Sequence, residues 1–254
     1  MLCKIPKTEM LNKETKAIDK LSVKQALKVL VKDQQKCLKI INKIIDEIEV
    51  VVDRIYKHLK KSNKGRIIYC GAGTSGRIGV QDGVELYPTF GWPKERVDFI
   101  LAGGLKALTR SIENAEDDVE SSIKVVDKKK INKNDVLIGL AASGNTSFTC
   151  NVLKYSRHNN PLIIAISNNP NGQILKYASL KIILDTQEEV IAGSTRLKAG
   201  TSQKVCLNMI SSMVMVKMGK VKDGLMVDLV PSNIKLKKRK KMIEKYLKNK
   251  DFLI

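Results

Sequence analysis

Five short runs of almost continuous apolar residues lie along the middle of the chain, and segments with a helical pattern separate them. The runs cover residues 66–70, 97–102, 135–140, 161–167 and 180–184. Strands that are apolar on both faces are typical of a parallel sheet with helices on each side. The pattern predicts an α/β fold: a doubly wound, mostly parallel sheet sandwiched by helices.

The first sixty residues show a helical period instead, with apolar positions every three or four residues and lysines or acids between them. We therefore expect a helical arm over residues 1–60, a sheet domain over 61–220 and a C-terminal region with a basic helix over 221–254. A further helix is predicted from Gly200 to about Lys217. Ser232 or Asn233 is suited to cap the last helix.

Two loops of similar composition, Gly71–Arg77 and Ala141–Ser147, follow the first and third apolar runs. Their glycines let backbone N–H groups converge on an anion, and their hydroxyls add further donors. Each loop leads into a predicted helix, whose N-terminus carries a partial positive charge. Since ligands of such sheets bind at the carboxyl ends of strands, the loops predict a site for a phosphorylated small molecule. Ordinary strand-to-helix turns are the alternative.

The first loop also matches the glycine pattern of a dinucleotide-binding turn, through Gly71, Gly73 and Gly76. Such a turn needs an acidic residue about twenty positions further on, and Asp98 lies in the next predicted strand. Spacing alone leaves NAD binding open. The many hydroxyls and the second serine-rich loop favour a phosphomonoester.

The chain is strongly basic, with 46 Lys and Arg against 26 Asp and Glu and a formal net charge of +20. Only eight of these cations are Arg, the residue favoured for bidentate recognition of phosphates and bases. The lysines are spread through the whole chain rather than concentrated in one patch. We therefore expect no nucleic-acid partner.

Five widely spaced cysteines lack the C-x-x-C spacing of a zinc site and are odd in number. We expect buried, reduced thiols and no metal. No apolar run approaches the roughly 18 residues of a membrane span, and the N-terminus lacks the apolar core of a signal peptide. These observations predict a cytoplasmic protein that does not contact a membrane.

Four segments in the same order resemble the N-acetylmuramic acid 6-phosphate etherase family. They are Gly71–Arg77, Asp82–Gly91, Ile112–Asp117 and Glu189–Thr201. The last is similar to a signature that these etherases share with glucokinase regulatory protein. The resemblance implies a sugar isomerase (SIS) domain, and it implies cleavage of the D-lactyl ether of the sugar phosphate, in cell-wall amino-sugar recycling, without a cofactor.

The resemblance also implies two catalytic carboxyl groups. Glu85 matches the family's acid, the proton donor to the departing lactate, and Glu116 matches its second active-site residue, which we interpret as the base that removes the C2 proton. The alternative for both residues is a surface position on a solvated helix, with no catalytic role. A non-catalytic sugar-phosphate-binding regulator and a sugar-phosphate isomerase of the same fold are the alternative functions.

The residues expected to bind the substrate and its phosphate are polar and lie in the two loops or in the last segment. They are Thr74, Ser75, Ser143, Asn145, Thr146, Ser147, Arg196 and Lys198. Helix capping is the alternative role for the hydroxyl residues. Ser75 and Ser143 are the strongest candidates for phosphate. Arg196 and Lys198 would pair with the phosphate or the lactyl carboxylate.

One spacing constrains the site. A straight helix from Gly76 to Glu85 would place the carboxylate roughly 13 Å from the phosphate loop, at about 1.5 Å per residue. Either Gly83 ends the helix and turns Glu85 back, or a second subunit completes the site. The family is dimeric, so we expect a homodimer. The chain departs from the family in its shorter C-terminal region and at Glu188, where a proline-like position is usual.

Overall fold

Five parallel strands form the central sheet of the computed structural model, which describes residues 5–13, 17–231 and 233–248. The strands are β1 (Ile67–Gly71), β2 (Val97–Leu101), β3 (Val136–Ala141), β4 (Leu162–Ser167) and β5 (Leu180–Ile183), in the order β2-β1-β3-β4-β5. Every neighbouring pair is parallel. The prediction of a doubly wound α/β fold is confirmed, and each strand end agrees within one residue.

Helices cover both faces of this sheet. They are α1 (Val23–Asn42), α2 (Ile45–Lys60), α3 (Gly73–Phe90), α4 (Val119–Lys129), α5 (Ser147–Ser156), α6 (Lys198–Lys217) and α7 (Ile234–Lys248). A two-stranded antiparallel hairpin, β6 (Val221–Lys222) and β7 (Leu225–Met226), follows α6. Alternate strand residues face opposite cores: Ile67 and Tyr69 join the cluster with α2 and α6, whereas Ile68 and Cys70 join the one with α4 and α5. The strands are therefore apolar on both faces.

The first long helix begins later in the chain than the helical spacing of apolar residues predicts. Before α1, the described residues contain only single 3₁₀ turns at Lys7–Glu9 and Ile18–Lys20. Helix α1 starts where Ser22 forms a capping box with Gln25, each side chain accepting the other's backbone N–H. A helix through residues 5–13 and 17–22 is therefore a wrong prediction. The proposed division at residues 60 and 220 stays a prediction.

Helix α6 starts at Lys198, two residues before the predicted start, because a distant carboxylate caps it. Glu189 accepts hydrogen bonds from the backbone N–H groups of Lys198 and Ala199, at 3.0 and 2.8 Å. Glu189 is fully buried, and this burial raises the pKa of its carboxyl. Helix α7 has a local cap: the backbone N–H of Leu236 donates to Asn233 Oδ1 at 2.9 Å, whereas Ser232 lies outside the described residues.

A buried ion pair ties α6 to α1. Lys198 is 1% exposed, and its ammonium donates to Asp33 Oδ1 and to the backbone carbonyl of Glu188, both at 2.8 Å. The thiol of Cys37 donates to the carbonyl of Lys198 at 3.3 Å. The first residue of α6 is thus held at its backbone and at its side chain.

A second buried carboxylate joins β1, α3 and α6. Asp82 accepts hydrogen bonds from Tyr69 Oη at 2.8 Å, Asn208 Nδ2 at 2.6 Å and Ser211 Oγ at 3.0 Å. Burial, followed by the charge of Asp82, raises the pKa of Tyr69 well above its usual value. The phenol therefore stays protonated and continues to donate to Asp82.

Four thiols confirm the expectation of buried, free cysteines, and Cys3 lies outside the described residues. Burial raises the pKa of Cys37 and Cys150 to about 11 and that of Cys206 to about 12. Within the described ranges, no helix combines the length and apolar character needed to cross a membrane.

Replacing Tyr69 with Phe is expected to lower the free energy of unfolding by about 1–3 kcal/mol, since Asp82 loses a buried donor. The raised pKa adds a pH signature. Above pH about 10 the unfolded tyrosine loses its proton while the folded one keeps it, so its contribution to stability falls with rising pH. Urea unfolding between pH 7 and 11 should show the wild-type advantage over Tyr69→Phe shrinking above pH 10. A constant difference would contradict the assignment.

Replacing Lys198 with Met is expected to destabilise the protein by about 3 kcal/mol, because Asp33 loses its buried partner. The loss should lie at the lower end of the range for such pairs, since Lys36 Nζ remains 3.5 Å from Asp33. Lys204→Met on the exposed side of the same helix is the matched control, with an expected change within about 0.5 kcal/mol. Equal urea midpoints for the two variants would refute the structural role of the pair.

Candidate functional site

The strand order places the switch point of the sheet, where folds of this type form a crevice, between the carboxyl ends of β1 and β3. The chain leaves β1 for β2 on one side and then returns to β3 on the other, so the connections diverge at this point. In open α/β sheets such a switch point is where ligands bind. The loops Gly71–Arg77 and Ala141–Ser147 follow these two adjacent strands, so both flank the crevice.

The first loop is short because two glycines touch. A Cβ on Gly71 would lie 2.9 Å from Gly76 N, and one on Gly76 would lie 2.8 Å from Gly71 O and 2.3 Å from Leu101 Cδ1. Helix α3 therefore begins directly over the end of β1, with Gly73 at φ +51° in its first turn. No side chain caps this end, so the first N–H groups, at Thr74 and Ser75, remain for a ligand.

The second loop is supported from behind by the chain that follows β4. Gly144 has φ +75°, and a Cβ there would lie 2.4 Å from Gly172 Cα. Asn169 Nδ2 donates to the carbonyl of Ser143 at 3.0 Å, and Asn145 Oδ1 accepts from the backbone N–H of Gln173 at 3.0 Å. The Oδ1 atom of Asn145 thus positions the loop, and its predicted role in binding stays a prediction.

Those hydroxyls lie at the start of α5. Thr146 is its N-cap residue but makes no side-chain capping bond, and Ser147 is its first helical residue. Ser143 Oγ accepts the backbone N–H of Asn145 at 3.2 Å, which leaves the hydroxyl hydrogen as a donor. A side-chain cap therefore does not account for Thr146, and the predicted binding roles of these hydroxyls stay predictions.

Glu116 connects the two loops. Its backbone carbonyl accepts the N–H of Phe148 in the first turn of α5 at 2.8 Å. Its side chain reaches the other helix, where Oε1 lies 2.9 Å from the position that a Cβ on Gly73 would occupy. The carboxylate is exposed and lies at the N-terminus of α3, beside the candidate phosphate ligands.

Glu85 lies elsewhere on the same helix. Helix α3 runs unbroken from Gly73 to Phe90, so the prediction that Gly83 ends it early is wrong. A Cβ on Gly83 would lie 2.5 Å from Phe99 and 2.8 Å from Tyr69, so this glycine lets the helix pack closely on the sheet. Glu85 is exposed, about 13 Å along the helix from Gly76.

The two predicted cations have different surroundings. Arg196 is exposed in the segment that leads to α6, and this segment lies near the crevice because a Cβ on Gly200 would be 3.3 Å from Thr74 Cγ2. The position of the Lys198 ammonium disagrees with the predicted role of this residue in binding the substrate. Its ammonium is buried against Asp33 and the carbonyl of Glu188, because α6 begins at this residue and directs the side chain toward α1.

The acidic residue of the dinucleotide alternative is at the wrong end of its strand. Asp98 is the second residue of β2, and it pairs there with Lys129 and, at 3.5 Å, with Arg66. A ribose-binding carboxylate would lie at the carboxyl end, next to the glycine loop. Asp98 therefore belongs to an ion-pair cluster at the amino ends of the strands, opposite the glycine loop.

Sequence reasoning missed the residues that support the site. Asn168 and Asn169 directly follow β4, and this polar pair at the carboxyl end of a strand was a usable signal. Asp33 had no local signal, because its partner Lys198 is 165 residues away. The capping role of Glu189 was missed because it lies nine residues before the helix, outside the usual N-cap position. Among the described residues, no cluster of three or more His, Cys, Asp or Glu side chains is arranged to bind a metal ion.

Comparison with known protein families gives two overlapping matches. Residues 49–157 match the N-terminal SIS domain of glucokinase regulatory protein, and residues 106–213 match the SIS domain family. Solved structures share the fold. A phosphoheptose isomerase from Francisella tularensis has a TM-score of 0.58 at 16% identity, over 76% of this chain and 98% of that one. The Vibrio vulnificus NanR protein complexed with ManNAc-6P has a TM-score of 0.50 at 10% identity, over 88% and 70%.

Curated relatives are much closer in sequence. An N-acetylmuramic acid 6-phosphate etherase from Mycoplasma mycoides is 41% identical over 97% of this chain and 82% of its own length. One from Bacillus cereus ATCC 14579 is 42% identical over 93% and 80%. An N-acetylmuramic acid 6-phosphate etherase 2 from Enterococcus faecalis gives 42% over 93% and 79%. The chain therefore belongs to the N-acetylmuramic acid 6-phosphate etherase family.

Proposed function

We propose that this protein is a carbon–oxygen lyase that cleaves the D-lactyl ether of N-acetylmuramic acid 6-phosphate, giving N-acetylglucosamine 6-phosphate and D-lactate. Membership of the etherase family supports the substrate and the reaction. The observation that carries the residue assignment is the position of the Glu116 carboxylate at the start of α3, beside two helix N-termini that no side chain caps and the hydroxyl donors of the two loops.

The chemistry follows from the open-chain form of the sugar. Its C2 proton is α to the aldehyde and its C3 ether oxygen is β to it, so elimination avoids direct hydrolysis of an unactivated ether. A base removes the C2 proton, the C3–O bond breaks, and the departing lactate oxygen takes a proton from an acid. Water then adds across the C2–C3 double bond, which restores the saturated sugar. The two roles need carboxyl groups in opposite protonation states.

In this proposal Glu116 is the base and the two loops hold the phosphate. Thr74 and Ser75 bind the phosphate from the N-terminus of α3. Ser143, Thr146 and Ser147 bind it from the N-terminus of α5. An anion at two helix N-termini is stabilised by both sets of N–H groups and by both helix dipoles. A phosphate there would place the sugar chain beside Glu116. Arg196 is the proposed cation for the lactyl carboxylate.

Glu85 is the proposed acid, and its position favours a site that a second subunit completes. The unbroken helix holds it about 13 Å from Gly76, beyond comfortable reach of a hexose phosphate bound at its own loop. The neighbouring Val84 is 50% exposed, which suits a helix face that a second chain covers. We propose a homodimer in which Glu85 of one subunit completes the crevice of the other.

We also propose a cytoplasmic location. The four buried free thiols suit a reducing compartment.

Isosteric variants separate the two catalytic roles. We expect Glu116→Gln to lose D-lactate release and C2 proton exchange together, by about 10²–10⁴-fold, since the base acts first. Glu85→Gln should lose lactate release by a similar factor and keep measurable exchange. The assay is D-lactate formation in heavy water, with C2 deuteration followed by NMR.

Glu113→Gln, on an exposed residue of the same turn as Glu116, is the matched control and should keep both activities. Wild-type activity in Glu116→Gln would remove this residue from the mechanism. Exchange without lactate in the wild-type protein would identify an isomerase, and neither signal would favour a sugar-phosphate-binding regulator.

Mixing the two inactive variants tests the shared site. In a heterodimer of Glu85→Gln and Glu116→Gln subunits, one crevice keeps both glutamates if they come from different chains. Random exchange makes half of the dimers mixed, so about one quarter of the wild-type activity should return. Activity that stays at the level of the separate variants after confirmed subunit exchange would place both glutamates in one chain.

A further inference from the structure

A second cavity, of about 510 Å³, lies beyond the carboxyl end of β5, where the end of α1 faces the segment that follows the strand. We call it the α1–β5 cavity and define it by Lys36, Lys39, Lys43, Asp185, Thr186 and Lys198. It contains no residue of either phosphate loop, and one strand, β4, lies between β5 and β3. It is therefore a different place from the proposed crevice.

One wall of the cavity carries positive charge. Lys36, Lys39 and Lys43 are spaced by three and four residues and therefore lie along one side of α1. Lys36 Nζ already lies 3.5 Å from Asp33 Oδ1. Lys39 and Lys43 are four residues apart and repel each other, so an anion between them would lower the free energy.

The facing wall carries polar atoms with unused hydrogen-bonding capacity. Thr186 is 1% exposed, yet its Oγ1 has no hydrogen-bond partner among the described residues. Oδ1 of the neighbouring Asp185 is also buried without a partner there. Buried hydroxyl and carboxylate groups rarely lack partners, because leaving water without replacement costs free energy. Both oxygens are closed to solvent in this structure, so a ligand that opens this wall and brings hydroxyl or ammonium donors would satisfy both.

We propose that the α1–β5 cavity binds a sugar phosphate. The phosphate pairs with Lys39 and Lys43 of α1, and the hydroxyls of the sugar bind Asp185 and Thr186. The charge of the two walls requires a molecule with an anionic end and a donor-rich end, which a simple anion does not provide. The volume lies within the range of small-molecule sites. The inference is independent of the etherase assignment, since it uses none of the proposed catalytic residues.

Equilibrium dialysis of the full chain with labelled N-acetylglucosamine 6-phosphate tests the proposal. Lys39→Ala/Lys43→Ala should weaken one class of site by at least about tenfold, because each lost lysine removes a charged hydrogen bond. Lys28→Ala/Lys32→Ala removes two exposed lysines of the same helix outside the cavity and should leave binding unchanged. Equal binding isotherms for these two double variants would overturn the site.

Thr186→Val tests the donor-rich wall with little change in shape. It should weaken the sugar phosphate severalfold at this site and leave inorganic phosphate unaffected. Equal binding of the sugar phosphate to Thr186→Val and wild type, or an equal loss of both ligands, would overturn the proposed orientation. D-lactate release measured on every variant keeps the result separate from the etherase proposal.

Discussion

The close contact between Gly71 and Gly76 determines the geometry of the whole site. Because no side chain separates them, α3 starts within two residues of the end of β1, and its N-terminus enters the crevice. The same close packing continues along the helix, where Gly79 and Gly83 lie against Tyr69. The contact therefore brings Thr74 and Ser75 to the proposed phosphate position, and the straight helix carries Glu85 away from it. In the proposed mechanism, one backbone constraint forms the anion site and also leaves the acid to be supplied by a second subunit.

Helix α6 connects this region to the rest of the molecule through buried charge. Glu189 holds the helix start at the backbone, and Lys198 holds it against Asp33 of α1. Gly200, two residues further on, lies against Thr74 of the phosphate loop. A buried ion pair is a costly way to gain stability, because both ions lose water. Here the pair fixes the relative positions of α1, the segment before α6 and the proposed phosphate loop.

The parts of the structure that depend on local pattern were predictable from the sequence. Strands β1, β3 and β4 are buried on both faces, so their apolar runs were visible in the sequence. The glycines and hydroxyls of the two loops were also visible, because they form short local motifs. The predictions that failed depended on distance in the chain. Asp33 and Lys198 are 165 residues apart, and nothing near Lys198 indicates that its ammonium is used inside the protein. Gly83 looked like a helix end, because only Tyr69 and Phe99 explain why a glycine is needed within the helix.

The proposed shared site links chemistry to assembly. Glu116 lies where two helix N-termini meet, and Glu85 lies on an exposed face of α3 beside an exposed valine, so the two carboxyls occupy different electrostatic settings before any substrate binds. A two-fold axis would bring each Glu85 to the other subunit's crevice and create two equal sites. The acid would then be supplied only in the dimer, so activity per chain would fall with dilution below the dimer dissociation constant. An isolated subunit would keep the phosphate loops and the base, and so would bind the sugar and exchange its C2 proton without releasing lactate.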